Sequence, residues 1–444
     1  MQRLTIPEPK IKLYEDGFAD HDKLSRKATG DKLSELVERI DDPLVIALDG
    51  AWGSGKSIFL KCWVGEHLKR AEETQTVYFD AYKHDYLDDP LVALTGAIAH
   101  RFRTSEDKQQ EENEKRTQNL KKTAWAVSKA AGRIGLSAVT FGATEILSDL
   151  GDEIAQPVGE EAKAFLSKET GDKQADQFWD AHQAKIAAMG AFRLALADLT
   201  EPKSENGVDA KPTKKLVIVV DELDRCRPDY ALSLLETIKH FFDVEGVHFV
   251  LGVNLTQPQN SVKARYGSGT EAEAYLQKFY SLQFKLPNRI QYTQDYVHYF
   301  NYASGQMQLP RNAHGVAHDL LERYVGPAPI TPRTIQRILT VVALIPFRTI
   351  RDTPYEFLLL PAILKVCAPA IYEKIRKMEI ELEDLQLAFR FEGKNLDNWI
   401  AALNATEDHN EVFPGSARTM PDNFLASICE DYLEVFDSRS LEID

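Results

Sequence analysis

Cysteine is scarce in the sequence: Cys62, Cys226, Cys367 and Cys429 are spread along 444 residues with no C-x-x-C spacing. That pattern argues against a disulfide framework and a cysteine zinc site, and it fits a reducing cytoplasm. Basic residues are in deficit. Against 68 Asp and Glu stand 53 Lys and Arg, for a formal net charge of -15, so broad attraction to nucleic acid or anionic lipid is not expected. Long apolar runs are missing as well. Ala124 to Leu150 is rich in small and apolar residues, but Lys129, Arg133 and Glu145 interrupt it. Its longest uncharged run, Ile134 to Thr144, falls short of the roughly 20 residues that cross a bilayer. No stable membrane insertion is expected. A helix packed on its own chain is expected there, and a helix lying on a membrane surface or binding a partner is the alternative. Met1 to Lys12 is polar and holds Pro7 and Pro9, unlike a secretory or transit segment. The expected location is cytoplasmic, peripheral at a membrane only under that alternative. His314 and His318 stand four apart with no further ligand cluster, so no metal site is expected at them.

Among the residues that are present, 43% are hydrophobic and 27% charged, a globular balance with enough length for two or three cores. One stretch organises the chain. Val45 to Asp49 reads as a short apolar strand, Gly50-Ala51-Trp52-Gly53-Ser54-Gly55-Lys56-Ser57 fits G-x-x-x-x-G-K-[ST], and Ile58 onward reads as a helix. Gly50, Gly53 and Gly55 permit tight turns and close approach of the backbone to phosphate. The amides of Gly50 to Ile58 are the expected phosphate cradle, with the positive end of the helix behind it. Lys56 is expected to reach the β- and γ-phosphates, and the Ser57 hydroxyl to ligate Mg²⁺.

The second motif begins with Lys215 to Val220, a continuous apolar run suited to a strand buried on both faces, which ends in Asp221-Glu222-Leu223-Asp224-Arg225-Cys226. A carboxylate at the end of a strand next to the phosphate-loop strand can hold a Mg²⁺ shell, and the acid after it can orient and deprotonate water. Asp221 is assigned to the metal and Glu222 to the water. Val247 to Val253 is another buried strand, and Asn254 at its end stands where an amide could sense a terminal phosphate, or simply form a turn. Arg225 and Arg227 follow the acids, while Arg333 and Arg337 lie four apart after Pro332. One of these guanidiniums is expected to be catalytic.

The order of elements before and after these motifs is βαβα, with Thr76 to Tyr82 a strand and Leu91 to Phe102 a helix. Arg101 to Thr123 is about half charged, which reads as a solvated helix or a linker. Phe178 to Leu199 has helical spacing, and so do Pro332 to Leu344 and Glu356 to Lys377. The expected organisation is an N-terminal segment and helix over 1–42, a nucleotide-binding core over 43–286 that contains a helical insertion over 101–199, and a helical unit over 287–444.

With both motifs placed, the chain resembles the KAP family of P-loop NTPases, relatives of the STAND and AAA-type ATPases. The resemblance rests on Trp52-Gly53-Ser54-Gly55-Lys56, on Tyr78-Phe79-Asp80-Ala81-Tyr82-Lys83, on Asp221 to Cys226, on Tyr275-Leu276-Gln277-Lys278-Phe279 before Leu286-Pro287, and on Thr331-Pro332-Arg333-Thr334-Ile335-Gln336-Arg337. It implies a three-layer α/β sandwich with a mostly parallel sheet and a C-terminal helical lid. It also implies ATP and Mg²⁺ as cofactors, and ATP hydrolysis coupled to a conformational change. Bacterial members resemble anti-phage ATPases, which implies a protein partner encoded nearby that acts as an effector. A slowly hydrolysing scaffold or switch stays open as the alternative function. In the proteins the chain resembles, the helical region after the core folds over the bound phosphates, which implies Arg333 as the catalytic arginine within the chain; one acting across the subunit boundary of a homo-oligomer stays open. Family members often carry transmembrane segments in the insertion, and this sequence keeps the insertion without one.

Overall fold

The computed structural model describes residues 4–71, 74–87, 89–104, 110–130, 173–202, 211–286, 293–309, 320–321, 323–325, 330–344, 355–377, 379 and 382–389. Helices α1 (Phe18–His21) and α2 (Lys27–Arg39) precede β1 (Val45–Asp49), α3 (Lys56–Arg70), β2 (Thr74–Asp80) and α4 (Pro90–Thr104). Then come α5 (Gln110–Ala130), α6 (Lys173–Asp198), β3 (Lys215–Asp221), α7 (Pro228–Ile238) and β4 (Val247–Val253). The core closes with α8 (Thr256–Tyr266), α9 (Ala272–Leu276) and β5 (Leu282–Lys285). Helices α10 (Thr293–Gln306), α11 (Pro332–Ala343), α12 (Tyr355–Cys367), α13 (Pro369–Arg376) and α14 (Leu382–Ala388) follow.

The five strands form one sheet of order β2-β3-β4-β1-β5, and every pairing is parallel. Because side chains alternate across a strand, each face of the sheet needs its own cover. Ile46, Leu48, Val217, Val219 and Val250 share one core with Phe59 and Trp63 of α3 and Leu33 of α2. The opposite residues Val45, Phe79, Ile218, Val220 and Phe249 share another with α4, α5, α6 and α7. The result is the expected three-layer sandwich. The carboxyl ends of β1, β3 and β4 lie along one edge, the position in an open parallel sheet where ligands bind.

Two sequence expectations change here. The strand that carries Asp221 is not next to the phosphate-loop strand, because β4 is inserted between β1 and β3. Gly252 in β4 makes that arrangement workable: a Cβ at this position would stand 2.6 Å from Asp221 Oδ1 and 2.5 Å from Leu60 Cδ1. The missing side chain lets the buried acid approach α3. Helix α5 is also not a solvated spacer. Its Leu120, Ala124 and Val127 are buried in the same core as α4 and α6. Its buried Thr117 and Thr123 bond back to the helix, Thr123 donating to the carbonyls of Asn119 and Leu120 at 3.1 and 2.9 Å. Charge count hid a narrow apolar stripe. The stretch Ile134 to Thr144, together with His314 and His318, lies outside the described residues. Among the described residues no helix is long and apolar enough to cross a membrane.

The helix expected over Glu356 to Lys377 is two helices. Ala368 takes a non-helical conformation ahead of Pro369, as expected for a residue whose successor is proline. The helices after β5 bury their own core, centred on Phe300, Ile335, Leu339, Leu360 and Phe389. They contact the other end of the chain, since Thr340 donates to the Leu4 carbonyl at 2.9 Å. Helix α2 is fixed to α3 from the opposite side: the Trp63 indole donates to Gly30 O at 3.2 Å and to Ser34 Oγ at 3.0 Å.

Candidate active site at the phosphate loop

The turn between β1 and α3 has the conformation its glycines predict. Gly53 and Gly55 have φ of 78° and 85°, left-handed values that favour glycine. At Gly53 space adds a second constraint, because a Cβ there would stand 2.5 Å from Arg333 Cβ. The loop is tied to the sheet by Gly50 N–H, which donates to Val253 O at 3.1 Å. Lys56 is the first residue of α3 and is buried. Its ammonium donates to Gly50 O at 2.8 Å and stands 3.6 Å from Asp224 Oδ2. Ser54 Oγ is buried and has no hydrogen-bond partner among the described residues.

The acids reach this turn from β3. Asp221 is fully buried; its Oδ2 accepts from Tyr78 Oη at 2.6 Å and its Oδ1 from Glu222 N–H at 2.8 Å. Burial pushes its carboxyl up to about 6, against the pull of the Tyr78 hydrogen bond and with the neighbouring Glu222 charge adding to the rise. Glu222 itself has φ of 60°, a left-handed backbone that costs a non-glycine residue about 1 kcal/mol or more. That bend aims its carboxylate across the sheet edge. One oxygen accepts from Ser57 Oγ and the other pairs with Arg225 Nε. The residues assigned to phosphate, metal and water thus meet in one cluster.

A cavity of about 330 Å³ opens over this cluster. Its floor includes Trp52, Gly55, Lys56, Ser57 and Glu222, and Arg333 and Gln336 of α11 form its roof. Thr331 caps α11 by accepting from Thr334 N–H at 3.1 Å, which sets Arg333 at the start of the helix, where its N–H reaches Gly53 O at 3.4 Å. Beyond the phosphate loop the cavity runs along Ile58 and Cys62 to Ile6, Phe18 and Leu24, with Tyr302 opposite. This end mixes apolar and aromatic side chains with charged ones, among them Glu8, Asp20, Asp22, Lys23 and Lys61.

Among the predicted site residues, Ala51, Trp52, Gly53, Gly55, Lys56, Ser57, Ile58, Glu222 and Arg333 line the cavity. Asp221 sits behind Glu222. Asn254 follows Val253, whose carbonyl holds Gly50, and its own carbonyl accepts from Gln257 N–H at 2.9 Å; it is outside the cavity lining. Arg337 is exposed on α11 away from the cavity, and Arg227 is engaged with Asp85, its guanidinium donating to Asp85 O at 2.5 Å. Sequence reasoning missed Arg26. This residue is buried in the cavity wall, and its Nη1 donates to Ser54 O at 2.6 Å; no local pattern in the sequence marks it. It also gave no role to Asp224, which lies inside the quoted Asp221 to Cys226 motif.

The donor set fits a nucleotide with Mg²⁺. Ser57 and the two acids supply the hard oxygens that Mg²⁺ takes. The unpartnered Ser54 Oγ and the glycine-lined turn suit the oxygens of a phosphate chain. Among the described residues no group of three or more His, Cys, Asp or Glu side chains is placed to hold a metal.

A five-stranded parallel sheet between helical layers, with G-x-x-x-x-G-K-S at the end of one strand and buried acids at the end of another, defines a P-loop NTPase. The family model of the KAP family P-loop domain matches residues 26–346, well over half of the chain, and the chain belongs to that family. The match begins at Arg26, the buried residue that holds the phosphate loop. A search of curated proteins finds no match to the chain.

Burial of the Asp221 charge has a measurable consequence. An acid whose folded pKa is raised contributes stability fully present below its unfolded value of 3.8 and lost as pH rises through about 6. Asp221→Asn removes that charge and is expected to stabilise the nucleotide-free protein by roughly 3 kcal/mol above pH 7. The gain should vanish near pH 4. Thermal unfolding across that range checks it, and a loss of stability at pH 7 would contradict it.

Proposed function

We propose that the chain is a Mg²⁺-dependent ATPase in which nucleotide turnover moves the helical roof against the phosphate loop. The observation that carries this reading is the meeting of Lys56, Ser57 and Glu222 under Arg333. A bound Mg²⁺ neutralises charge on the phosphates and orients them. Ser57 and Asp221 hold it. The loop amides and Lys56 bind the β- and γ-phosphates, and Glu222 orients and deprotonates water once its carboxylate is released from Ser57. Arg333 stabilises the charge developing on the terminal phosphate, while Asn254, outside the cavity, has no part in this reading. The arm between Ile6 and Tyr302, with Phe18 and Tyr302 on its walls, takes the base. ATP with Mg²⁺ should raise the unfolding temperature of the purified protein, and a chelator should cancel most of that shift. GTP measured alongside reports the base preference.

The coupling to motion follows from Gly53, which packs directly on Arg333, so a phosphate that reorders the loop also moves α11. Arg333→Ala is expected to slow hydrolysis roughly tenfold or more with little change in ATP affinity. Unchanged turnover per protein would return Arg333 to the surface charges. The defence role, and an effector partner encoded nearby, rest on the family resemblance and are tested by co-purification with products of adjacent genes. The alternative, a nucleotide-dependent switch with very slow turnover, is favoured by the closed arrangement of Glu222, which is engaged by both Ser57 and Arg225.

A further inference from the structure

Asp224 has no role in phosphate, metal or water binding as assigned above, yet its carboxylate lies against the phosphate loop. Its side chain is 2% exposed. One oxygen, Oδ2, accepts the indole N–H of Trp52 and stands 3.6 Å from the Lys56 ammonium. Lys56 is the only charged residue between Gly50 and Ser57, and Trp52 forms the tip of that loop. A single buried carboxylate oxygen from the turn after β3 therefore restrains both the tip and the cation.

We propose that Asp224 is an affinity-setting residue that competes with the β- and γ-phosphates for Lys56. Two electrostatic effects act in the same direction. Lys56 must leave or share Asp224 to reach a phosphate, and the carboxylate repels the polyphosphate in a cleft where burial weakens screening by salt. Gly50 O, the other acceptor of Lys56, is neutral and exerts no such repulsion. After γ-phosphate departs, the same carboxylate takes Lys56 back and weakens the hold on ADP. Asp224 is thus a positioning residue that trades affinity for product release.

This inference rests on the ATPase reading, and the experiment separates the two. Asp224→Asn keeps the shape and an oxygen for the Trp52 N–H while removing the charge; Asp224→Ser is a second neutral variant. Calorimetric titration with ATP and ADP in Mg²⁺ is compared with wild type, with circular dichroism and thermal unfolding to establish folding. A folded neutral variant should bind ATP about tenfold tighter, and ADP with a smaller gain because ADP lacks the γ-phosphate. Unchanged or weaker ATP binding in a folded variant, beside a wild type that binds ATP, overturns the role of Asp224 alone. A wild type that binds no ATP overturns both readings.

Discussion

Glu222→Gln is expected to leave ATP bound and to slow its hydrolysis by a factor of roughly 10² or more. Glutamine keeps the length of the side chain, and it can still meet Ser57 and the loop, so the nucleotide pocket keeps its shape. What it loses is the basic oxygen that takes a proton from water. The left-handed backbone at position 222 supports this assignment, since a strained conformation in a buried turn is retained where it aims a side chain. The effect belongs in kcat, with little change in Kd, which single-turnover analysis of bound nucleotide separates. A Glu222→Gln protein that hydrolyses ATP at the wild-type rate removes Glu222 from the chemistry.

Lys56→Ala is expected to remove ATP binding, with affinity falling about 100-fold or more. The loop between Gly50 and Ser57 holds one cation, and the amides alone must then carry the phosphate charge. The fold should survive, because Lys56, though buried, lines the cleft and bonds only its own loop and Asp224. Removing it does leave the buried Asp224 carboxylate with the Trp52 indole as its donor, so a modest drop in unfolding temperature is expected together with the loss of binding. Titration of a fluorescent ATP analogue reads the effect, and wild-type affinity in Lys56→Ala would contradict it.

The phosphate loop was legible because its chemistry is local. Glycine conformations, a lysine and a hydroxyl recur at fixed spacing in a single turn, and the strand and helix on either side are set by apolar pattern. The acids after β3 were legible for the same reason. What local pattern could not supply is order across the sheet: nothing in Val247 to Val253 states that this strand inserts between β1 and β3, and only the close approach of Gly252 to Asp221 shows how the acid then reaches the site. Arg26 and Asp224 escaped notice because each acts through a contact with a distant stretch, Ser54 in one case and Trp52 with Lys56 in the other. Helix α5 was misread because composition averages over a helix, whereas burial depends on one stripe of it. Arg333 was singled out through the family resemblance and not by local pattern, and the structure brings it, but not Arg337, to the loop.

Phosphate release by the purified wild-type protein decides whether this cluster hydrolyses ATP. With ATP and Mg²⁺, saturable release is expected that a chelator abolishes and that Lys56→Ala lacks. Phosphate release indistinguishable from that of Lys56→Ala, in a wild type that binds ATP and Mg²⁺, would contradict it and leave a nucleotide-binding switch in its place.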